Sequence, residues 1–391
     1  MKNKKINFFF FFFFFFFFLK NLNLRFKKKK KKKICLFINA LHNSGGTERI
    51  ITLLANGLTN IDYEVHIVTI LKTSEPFFQL NDKINLVSLC NHESLTSELE
   101  RLKIIFALRK YLKSNEIKTI IAVDSLLCIY SLPAVLFTNI RHICWEHFNF
   151  KIDLGVKARR LARQLSGLLS DEIVVLSEKD KKYWQEKLLF KKSKLRVIYN
   201  ASQFHITNND YPADSKNIIS VGRLTDQKGF DLLLQAWKKV HNEFPDWTLT
   251  IIGSGPKKDS LEQLATKLSL NKSIKFIAAT QNITDYYQSC GFLCLPSRYE
   301  GFGLVLIEAM SFGVPAIAFD CDCGPSEILD MENGILVPNE NIKIFAESLR
   351  LMISQKSLRV NMSNNAKLKA NAFTSEKFTE CWDSVLRNEK L

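Results

Sequence analysis

From residue 34 onwards, short apolar runs alternate with longer stretches in which apolar residues recur every three or four positions. A short apolar run is typical of a buried strand, and the longer period is typical of a helix packed against a sheet. Alternating strands and helices indicate repeated βα units that share a parallel sheet. The pattern therefore predicts an α/β protein.

The predicted strands form two sets separated by a polar segment. The first set lies at residues 34–40, 64–70, 119–125, 142–147, 172–177 and 195–200. The second set lies at residues 217–222, 248–253, 273–278, 291–296, 315–320 and 334–338. Residues 201–216 between the sets lack periodicity, which is typical of a linker. We therefore expect two domains, with ligands at the carboxyl ends of their strands.

The domain boundaries follow from this division of the chain. Residues 1–33 are a low-complexity Phe/Lys tail, 34–205 form an N-terminal Rossmann-like domain, and 206–373 form a C-terminal Rossmann-like domain. Residues 374–391 are a separate last segment, because the helical period resumes at 374–388.

The segment 296–319 carries the most informative residues of the chain. Glu300 and Glu308 lie eight positions apart around Gly301 and Gly303, and the apolar period predicts a helix that starts near Gly303. Helical side chains lean toward the N-terminus, so Glu308 on the early turns points back toward Glu300 in the preceding loop. Both carboxylates are expected to face one ligand.

The start of this helix indicates the kind of ligand. Its first backbone N–H groups have no partner inside the helix and carry the positive end of its dipole, and the glycines let a ligand approach the backbone. A nucleotide sugar suits both features, because it has a diphosphate for the N–H groups and hydroxyls for the carboxylates. Glu308 also lies in an apolar stretch, where an unpaired carboxylate is costly.

These residues resemble the E-x7-E signature of glycosyltransferase family 4, retaining enzymes with the GT-B fold, and in particular its bacterial surface-polysaccharide type. Further similar segments follow in the family's order at 220–240, 251–256, 324–329 and 333–338, with a weaker one at 42–50. The resemblance covers residues 34–391. It implies two Rossmann-like domains that face each other across a cleft, an acceptor domain first and a donor-nucleotide domain second, with the last helix crossing back.

The resemblance also implies roles for individual residues of the C-terminal domain. Arg223 and Lys228 would embrace the donor diphosphate and stabilise the charge on the leaving phosphate. Outside the GRLTDQKGFD context, such a pair would be solvated loop cations. Glu308 would bind the ribose, and Glu300 would bind hydroxyls of the transferred sugar. Further donor contacts are expected from Gly301, Phe302, Gly303 and Leu304.

The N-terminal domain contributes two weaker candidates. Gly45 and Gly46 form a Gly-rich turn into a helix, which a plain turn explains as well; the resemblance implies that this loop approaches the donor phosphates. His147 ends a strand at the same cleft, where the family places a His against the donor sugar. We expect it to donate or accept a hydrogen bond there rather than act as a general base. A structural role for His147, and a functional role for Glu146 beside it, remain alternatives.

The formal charge of +16 is concentrated at the N-terminus. Residues 1–33 hold eleven Lys and one Arg without any acid, which leaves 43 basic against 39 acidic residues elsewhere. A mildly basic body argues against nucleic-acid binding. The run of eleven Phe at residues 8–18 is shorter than the roughly 20 residues that span a bilayer. Three interpretations of the tail remain open: incidental low-complexity sequence, a membrane-surface anchor, or a secretion signal.

Cysteine usage and the acidic motifs argue against a metal site. Nine Cys, an odd number, suit a reducing compartment and therefore the cytoplasm. Asp320 and Asp322 form the D-x-D pattern that binds a divalent ion in the other large glycosyltransferase fold. Here the pattern follows the E-x7-E helix by one strand, and we expect it to turn the chain or cap the next helix. No metal and no cofactor are expected.

The segment 153–171 places Lys157, Arg159, Arg160 and Arg163 among leucines and predicts a basic amphipathic helix. Two interpretations remain open. The helix packs on its sheet like any Rossmann helix, or its arginines contact a membrane that carries a lipid-linked acceptor.

These observations predict a retaining, metal-independent hexosyltransferase. It would move a hexose or N-acetylhexosamine from a nucleotide sugar, with UDP favoured, to a glycan or lipid-linked acceptor in capsule, other surface polysaccharide or lipopolysaccharide synthesis. Base contacts are expected near residues 278–281. The expected location is the cytoplasm, with peripheral contact to the cytoplasmic face of the inner membrane as an alternative. A nucleotide-sugar epimerase and an inert GT-B partner subunit are the rival functions, although an inert subunit usually lacks the carboxylates or the Arg/Lys pair.

Overall fold

The computed structural model describes residues 32–73, 75–91 and 98–389. Within these ranges the chain forms two parallel sheets, of seven and six strands, with helices on their faces. The first sheet consists of β1 Lys32–Ile38, β2 Tyr63–Thr69, β3 Asn85–Ser88, β4 Thr119–Val123, β5 Arg141–Trp145, β6 Glu172–Val175 and β7 Lys194–Val197. The second consists of β8 Asn217–Val221, β9 Thr248–Ile252, β10 Ile274–Ile277, β11 Phe292–Leu295, β12 Ala316–Asp320 and β13 Gly334–Pro338. The prediction of an α/β fold with two Rossmann-like sheets is confirmed.

Helices connect the strands in both halves of the chain. Those of the N-terminal half are α1 Gly46–Asn60, α2 Glu98–Ser114, α3 Cys128–Val135, α4 Lys157–Leu169 and α5 Glu178–Lys187. Those of the C-terminal half are α6 Phe230–Lys238, α7 Lys258–Lys267, α8 Ile283–Ser289, α9 Leu304–Ser311, α10 Pro325–Ile328, α11 Ile342–Ser354, α12 Lys356–Ala370 and α13 Ser375–Arg387. None of these helices, within the described ranges, is long and apolar enough to cross a bilayer.

The strand order places ligand sites at two points of the molecule. The orders are β3-β2-β1-β4-β5-β6-β7 and β10-β9-β8-β11-β12-β13. The order in which the chain adds strands therefore reverses between β1 and β4 in the first sheet, and between β8 and β11 in the second. In open α/β sheets, ligands bind at this reversal, outside the carboxyl ends of the strands. The loops after β1, β8 and β11 therefore lie where a ligand is expected.

The last helix returns to the first sheet. The Tyr63 hydroxyl on β2 donates a hydrogen bond to Asp383 over 2.6 Å, and the Arg141 guanidinium on β5 donates to the carbonyl of Val385 over 2.8 Å. The Val385 carbonyl also accepts a hydrogen bond from the backbone N–H of Asn388 over 3.0 Å, so the Arg141 bond ties the capped end of α13 to the first sheet. The crossing helix implied by the family resemblance is thus confirmed.

Several predictions about segments need correction or stay open. The pattern missed β3, a short edge strand whose residues are at most half-buried. Residues 1–31, on which the interpretations of the tail depend, lie outside the described residues, and Lys32 and Lys33 belong to β1 rather than to the tail. The domain boundaries stay a prediction, although no strand or helix lies between β7 and β8.

The membrane interpretation of α4 is wrong for two of its three arginines. Arg159 is 4% exposed and Arg163 is 1% exposed, so both side chains point into the protein. Arg163 donates to the carboxylate of Glu146 over 2.8 Å, and Arg159 pairs with Asp124. Glu146 is fully buried and Asp124 is partly buried. These two acids, which the sequence pattern of the helix does not reveal, draw the guanidinium groups inward.

Candidate active site

The loop after β11 brings Glu300 next to the N-terminal domain. Gly303 has a φ of 102° and is the N-cap of α9, as the sequence predicted. A Cβ at Gly301 would lie 2.1 Å from the carbonyl oxygen of His147, so only glycine allows this approach of the two domains. Asn149 of the N-terminal domain also donates to the carbonyl of Glu300 over 3.2 Å.

Lys228 and Glu300 form an ion pair in the cleft. The Lys228 Nζ lies 2.6 Å from the Glu300 Oε1, which also accepts a hydrogen bond from the Ser297 hydroxyl over 2.6 Å. The turn that carries Lys228 ends at Gly229, where a Cβ would lie 2.0 Å from the carbonyl oxygen of Pro296. Glu300 is 6% exposed. Because the hydrogen bonds found among the described residues reach Oε1, Oε2 can accept one from a ligand.

Arg223 lies at the carboxyl end of β8 with an exposed side chain. Its guanidinium is near the carboxylate of Glu48, at the start of α1 in the other domain, and partly offsets the rise in pKa that burial causes in that carboxyl. Burial has the larger effect, and it raises the Glu48 pKa above its ordinary value. Arg223 is therefore a cation at the mouth of the cleft, whereas Lys228 is already paired with Glu300.

Glu308 has partners that the sequence did not predict. It is 1% exposed, and its two oxygens accept hydrogen bonds from Arg49 of α1 and, over 2.9 Å, from the hydroxyl of Tyr287. Glu300 and Glu308 thus contact different cations, one from each domain. Each carboxylate oxygen accepts up to two hydrogen bonds, so both oxygens of Glu308 keep the capacity for one more.

The starts of two helices meet at the cleft. Gly45 is the N-cap of α1, and a Cβ at Gly46 would lie 2.9 Å from the Leu304 Cδ1 at the start of α9. The N-termini of the two helices, which carry free N–H groups and positive dipole ends, therefore lie close together. Free N–H groups at helix starts are a common feature of phosphate sites, which is the ligand expected here from the sequence.

Phe302 supports this arrangement with its side chain rather than facing a ligand. Its ring is 2% exposed and stacks on Tyr199 with the centroids 5.8 Å apart. Its carbonyl oxygen would lie 1.9 Å from a Cβ at Gly324. Only the backbone of Phe302 is therefore available to the nucleotide-sugar donor expected from the sequence.

His147 is the second residue after β5, is 8% exposed, and its ring centroid lies 4.5 Å from that of Trp145. Its Nε2 has no hydrogen-bond partner among the described residues. Burial lowers the pKa of His147 to about 4, so the ring is neutral at pH 7. The buried Nε2 therefore keeps the capacity for one hydrogen bond that the described residues do not use.

Glu146 holds the backbone that carries His147. Its Oε1 accepts hydrogen bonds from the N–H groups of His147 and Phe148, both over 3.1 Å, and its Oε2 accepts from Ser125 and Arg163. Burial raises the pKa of this carboxyl, but the two guanidinium groups and the Ser125 hydrogen bond outweigh that effect and lower it. Glu146 is 0% exposed and cannot reach a substrate.

The acidic pair after β12 has a role different from the predicted cap. The sequence predicts that this pair turns the chain or caps α10. Gly324 is the N-cap of α10 and makes no side-chain cap bond, so capping is wrong, whereas the chain does bend at residues 322–324. Asp322 instead accepts hydrogen bonds from Lys151 and Tyr183 of the other domain, both over 3.2 Å. In the described ranges, no three His, Cys, Asp or Glu side chains are grouped as metal ligands would be.

The low pKa of His147 makes stability depend on pH. The unfolded ring titrates near 6.5 and the folded ring near 4, so below pH 6.5 the unfolded chain binds more protons and the folded state loses stability. We expect the free energy of unfolding of wild type to fall relative to His147→Gln by about 1.4 kcal/mol per pH unit across this window. Urea unfolding at several pH values measures this difference. Equal pH dependence of the two proteins would contradict the assignment.

Comparison with known proteins places the chain in a family. The chain matches the model "Glycosyltransferase Family 4" over residues 44–202 and the model "Glycosyl transferases group 1" over residues 202–369. It is 36% identical to an uncharacterized glycosyltransferase of Haemophilus influenzae, across 90% of this chain and 99% of that protein. It is 30% identical, with the same shares, to the amylovoran biosynthesis glycosyltransferase AmsD of Erwinia amylovora.

Solved structures agree on the fold. Sucrose-phosphate synthase of Thermosynechococcus elongatus superimposes with a TM-score of 0.80 at 19% identity, over 92% of this chain and 99% of that one. The lipopolysaccharide outer core galactosyltransferase WaaB gives 0.71 at 19% identity, over 91% and 99%. The architecture is that of a GT-B glycosyltransferase. The chain belongs to glycosyltransferase family 4.

Proposed function

We propose that this protein is a retaining hexosyltransferase that uses a nucleotide diphosphate sugar, preferably a UDP-sugar. The observation that carries the proposal is the meeting of the α1 and α9 starts beside the Lys228–Glu300 pair. The helix starts suit the diphosphate, and the carboxylates suit sugar and ribose hydroxyls.

The reaction breaks the bond between the sugar C1 and the donor phosphate oxygen. Negative charge grows on that oxygen, and Arg223 and Lys228 are the cations placed to stabilise it. The acceptor hydroxyl attacks C1 from the face that the phosphate leaves, and its proton passes to the departing phosphate oxygen. His147, neutral at pH 7, donates or accepts a hydrogen bond at the sugar and takes no part in this transfer.

Charge neutralisation needs no metal ion in this scheme, because cationic side chains and two helix starts surround the diphosphate region. We therefore propose metal-independent transfer, which full activity in excess chelator would support. The base would lie against residues 278–281, an exposed loop after β10 in which the Ala279 N–H donates to the Ser254 hydroxyl over 3.1 Å.

The proposed acceptor is a glycan or lipid-linked saccharide of surface polysaccharide or lipopolysaccharide, used on the cytoplasmic side of the inner membrane. AmsD is named for amylovoran biosynthesis. A Campylobacter jejuni relative, 28% identical over 90% of this chain, is named as an N-acetylgalactosaminyltransferase acting on an undecaprenol-diphosphate-linked saccharide. These names support the class of acceptor and leave the transferred sugar open.

A thermal-shift screen tests the donor. Binding raises the unfolding temperature by an amount set by the ratio of ligand concentration to Kd. We expect UDP and UDP-sugars to stabilise wild type, and Glu308→Gln to weaken binding about tenfold because a charge-assisted hydrogen bond to ribose is lost. Glu332→Gln, an exposed carboxylate away from the cleft, is the matched control.

The outcomes separate the proposal from its rivals. No shift with any nucleotide sugar would favour an inert partner subunit. Conversion of the donor to its epimer without any acceptor would identify an epimerase. Normal UDP binding by Glu308→Gln would show that Glu308 does not hold the ribose.

A further inference from the structure

Helix α2 has an apolar face in the core. Ile104, Leu108 and Leu112 follow one another at intervals of four residues and are each at most 1% exposed. They pack in the hydrophobic core of the N-terminal domain. One buried apolar face is all that a helix needs in order to dock on its sheet.

The same helix has a second apolar face in solvent. Leu99, Leu102 and Phe106, at intervals of three and four residues, are 70%, 53% and 70% exposed. Residues with this spacing share one side of a helix, and these lie opposite the buried face. A continuous exposed stripe of large apolar side chains is costly in water and marks a contact surface.

A loop next to the helix extends this stripe. Phe137 is 93% exposed and has a φ of 58°, a backbone conformation that is unfavourable for an aromatic residue. Arg109 of α2 donates to the carbonyl of Leu136 over 2.7 Å, which holds this loop beside the helix. We call the surface formed by Leu99, Leu102, Phe106 and Phe137 the α2 surface.

The charges around the α2 surface indicate its partner. Lys103, Lys110 and Lys113 of the same helix are exposed. Large apolar side chains flanked by lysines are the pattern with which a helix lies in the interface of an anionic membrane, where apolar groups insert and cations approach lipid phosphates. We propose that the α2 surface is a docking site for an anionic lipid membrane.

The position of the helix fits the proposed acceptor. Helix α2 follows β3, so its first turn lies at the carboxyl edge of the first sheet, the edge that faces the cleft. A membrane against α2 would bring a lipid-linked saccharide to the same side of the domain as His147. This inference extends the acceptor part of the proposed function and replaces α4 as the membrane-facing helix. Vesicle binding can still be measured without any donor.

Vesicle sedimentation of the full chain tests the inference. We expect wild type to bind vesicles of phosphatidylethanolamine and phosphatidylglycerol, and to bind phosphatidylcholine vesicles or high-salt samples much less. The double variant Leu102→Glu/Phe106→Glu should bind the anionic vesicles about tenfold more weakly, because it loses two inserting groups and gains two negative charges. The unfolding temperature should stay close to that of wild type, since both side chains are exposed.

The matched control is Leu189→Glu/Phe190→Glu, which alters two apolar residues of the same domain that are 79% and 53% exposed. It should bind as wild type does. Normal vesicle binding by the α2 variant would overturn the proposal and assign binding to the tail or another surface. An equal loss of vesicle binding by the control variant would overturn it as well. Light scattering that shows a dimer dissolved by the α2 variant, without vesicles, would instead assign the surface to a second copy. UDP binding, measured in parallel, reports separately on the donor proposal.

Discussion

Replacing either cation of the cleft by alanine should lower kcat by about 10²- to 10³-fold and raise KM much less. In the proposed reaction, Lys228 and Arg223 meet charge that grows on the leaving diphosphate, so their contacts would be strongest in the transition state. Removing one preorganised electrostatic contact of this kind costs roughly that factor in rate. Steady-state kinetics of Arg223→Ala and Lys228→Ala with a UDP-sugar donor measures the effect.

The two cation variants should differ in stability as well as in rate. Lys228 is the ion-pair partner of Glu300, which is 6% exposed, so Lys228→Ala leaves a nearly buried carboxylate without its cation. Arg223 is exposed, and its removal should leave the unfolding temperature nearly unchanged. The pair of variants therefore separates a loss of transition-state stabilisation from a disturbance of the site.

Two further variants complete this test. Lys258→Ala, which removes an exposed lysine at the start of α7, should keep wild-type kcat. Glu300→Gln should have an intermediate effect, because positive character develops on the sugar near that carboxylate. If both cation variants keep wild-type kcat, the assignment of the site is wrong even though the fold is right.

Local sequence determined much of the fold and the backbone of the site. The apolar runs marked twelve of the thirteen strands within the described residues, and missed only the edge strand β3. Gly303 ends its loop where the helical period begins, and its φ of 102° needs glycine. Lys228 and Glu300 also lie in motifs, so both candidates could be named before their contact was known.

Contacts across the cleft could not be predicted in the same way. Arg49 and Glu308 are 259 residues apart, and their pairing depends on how the two domains close. Nothing in the local pattern of α1 distinguishes Arg49 from a solvated cation. The sequence did carry one indirect signal, because a carboxylate in the apolar stretch around Glu308 needs a partner.

The orientation of α4 shows a different limit of sequence patterns. Hydrophobic periodicity assigns leucines to the core and arginines to solvent, and it has no information about acids at the ends of neighbouring strands. Glu146 directly follows β5 and lies under the helix, and two of the arginines turn inward to pair with it and with Asp124. The sequence had raised Glu146 as a functional alternative to His147, and its burial among N–H groups and guanidinium groups assigns it to support instead.

Arg163→Met should destabilise the protein by about 3–5 kcal/mol, the cost of leaving one member of a buried ion pair without its partner. The Arg163 guanidinium bonds to the Glu146 carboxylate and to backbone carbonyls of the loop that follows His147, including that of Phe150 over 2.7 Å. Arg160→Met is the matched control, because Arg160 is exposed and its pair with Asp153 lies at the surface. The control should change stability by less than about 0.5 kcal/mol.

Urea unfolding of Arg163→Met, Glu146→Gln and the double variant would establish whether the buried pair is the cause. Once both charges are gone, no buried charge is left without a partner, so the double variant should be less destabilised than the sum of the two single changes. A loss below about 1 kcal/mol in Arg163→Met would contradict the burial of the pair. Reversing the charges of Arg159 and Arg163 together should prevent folding altogether, whereas a membrane-facing α4 would lose vesicle binding and keep its stability.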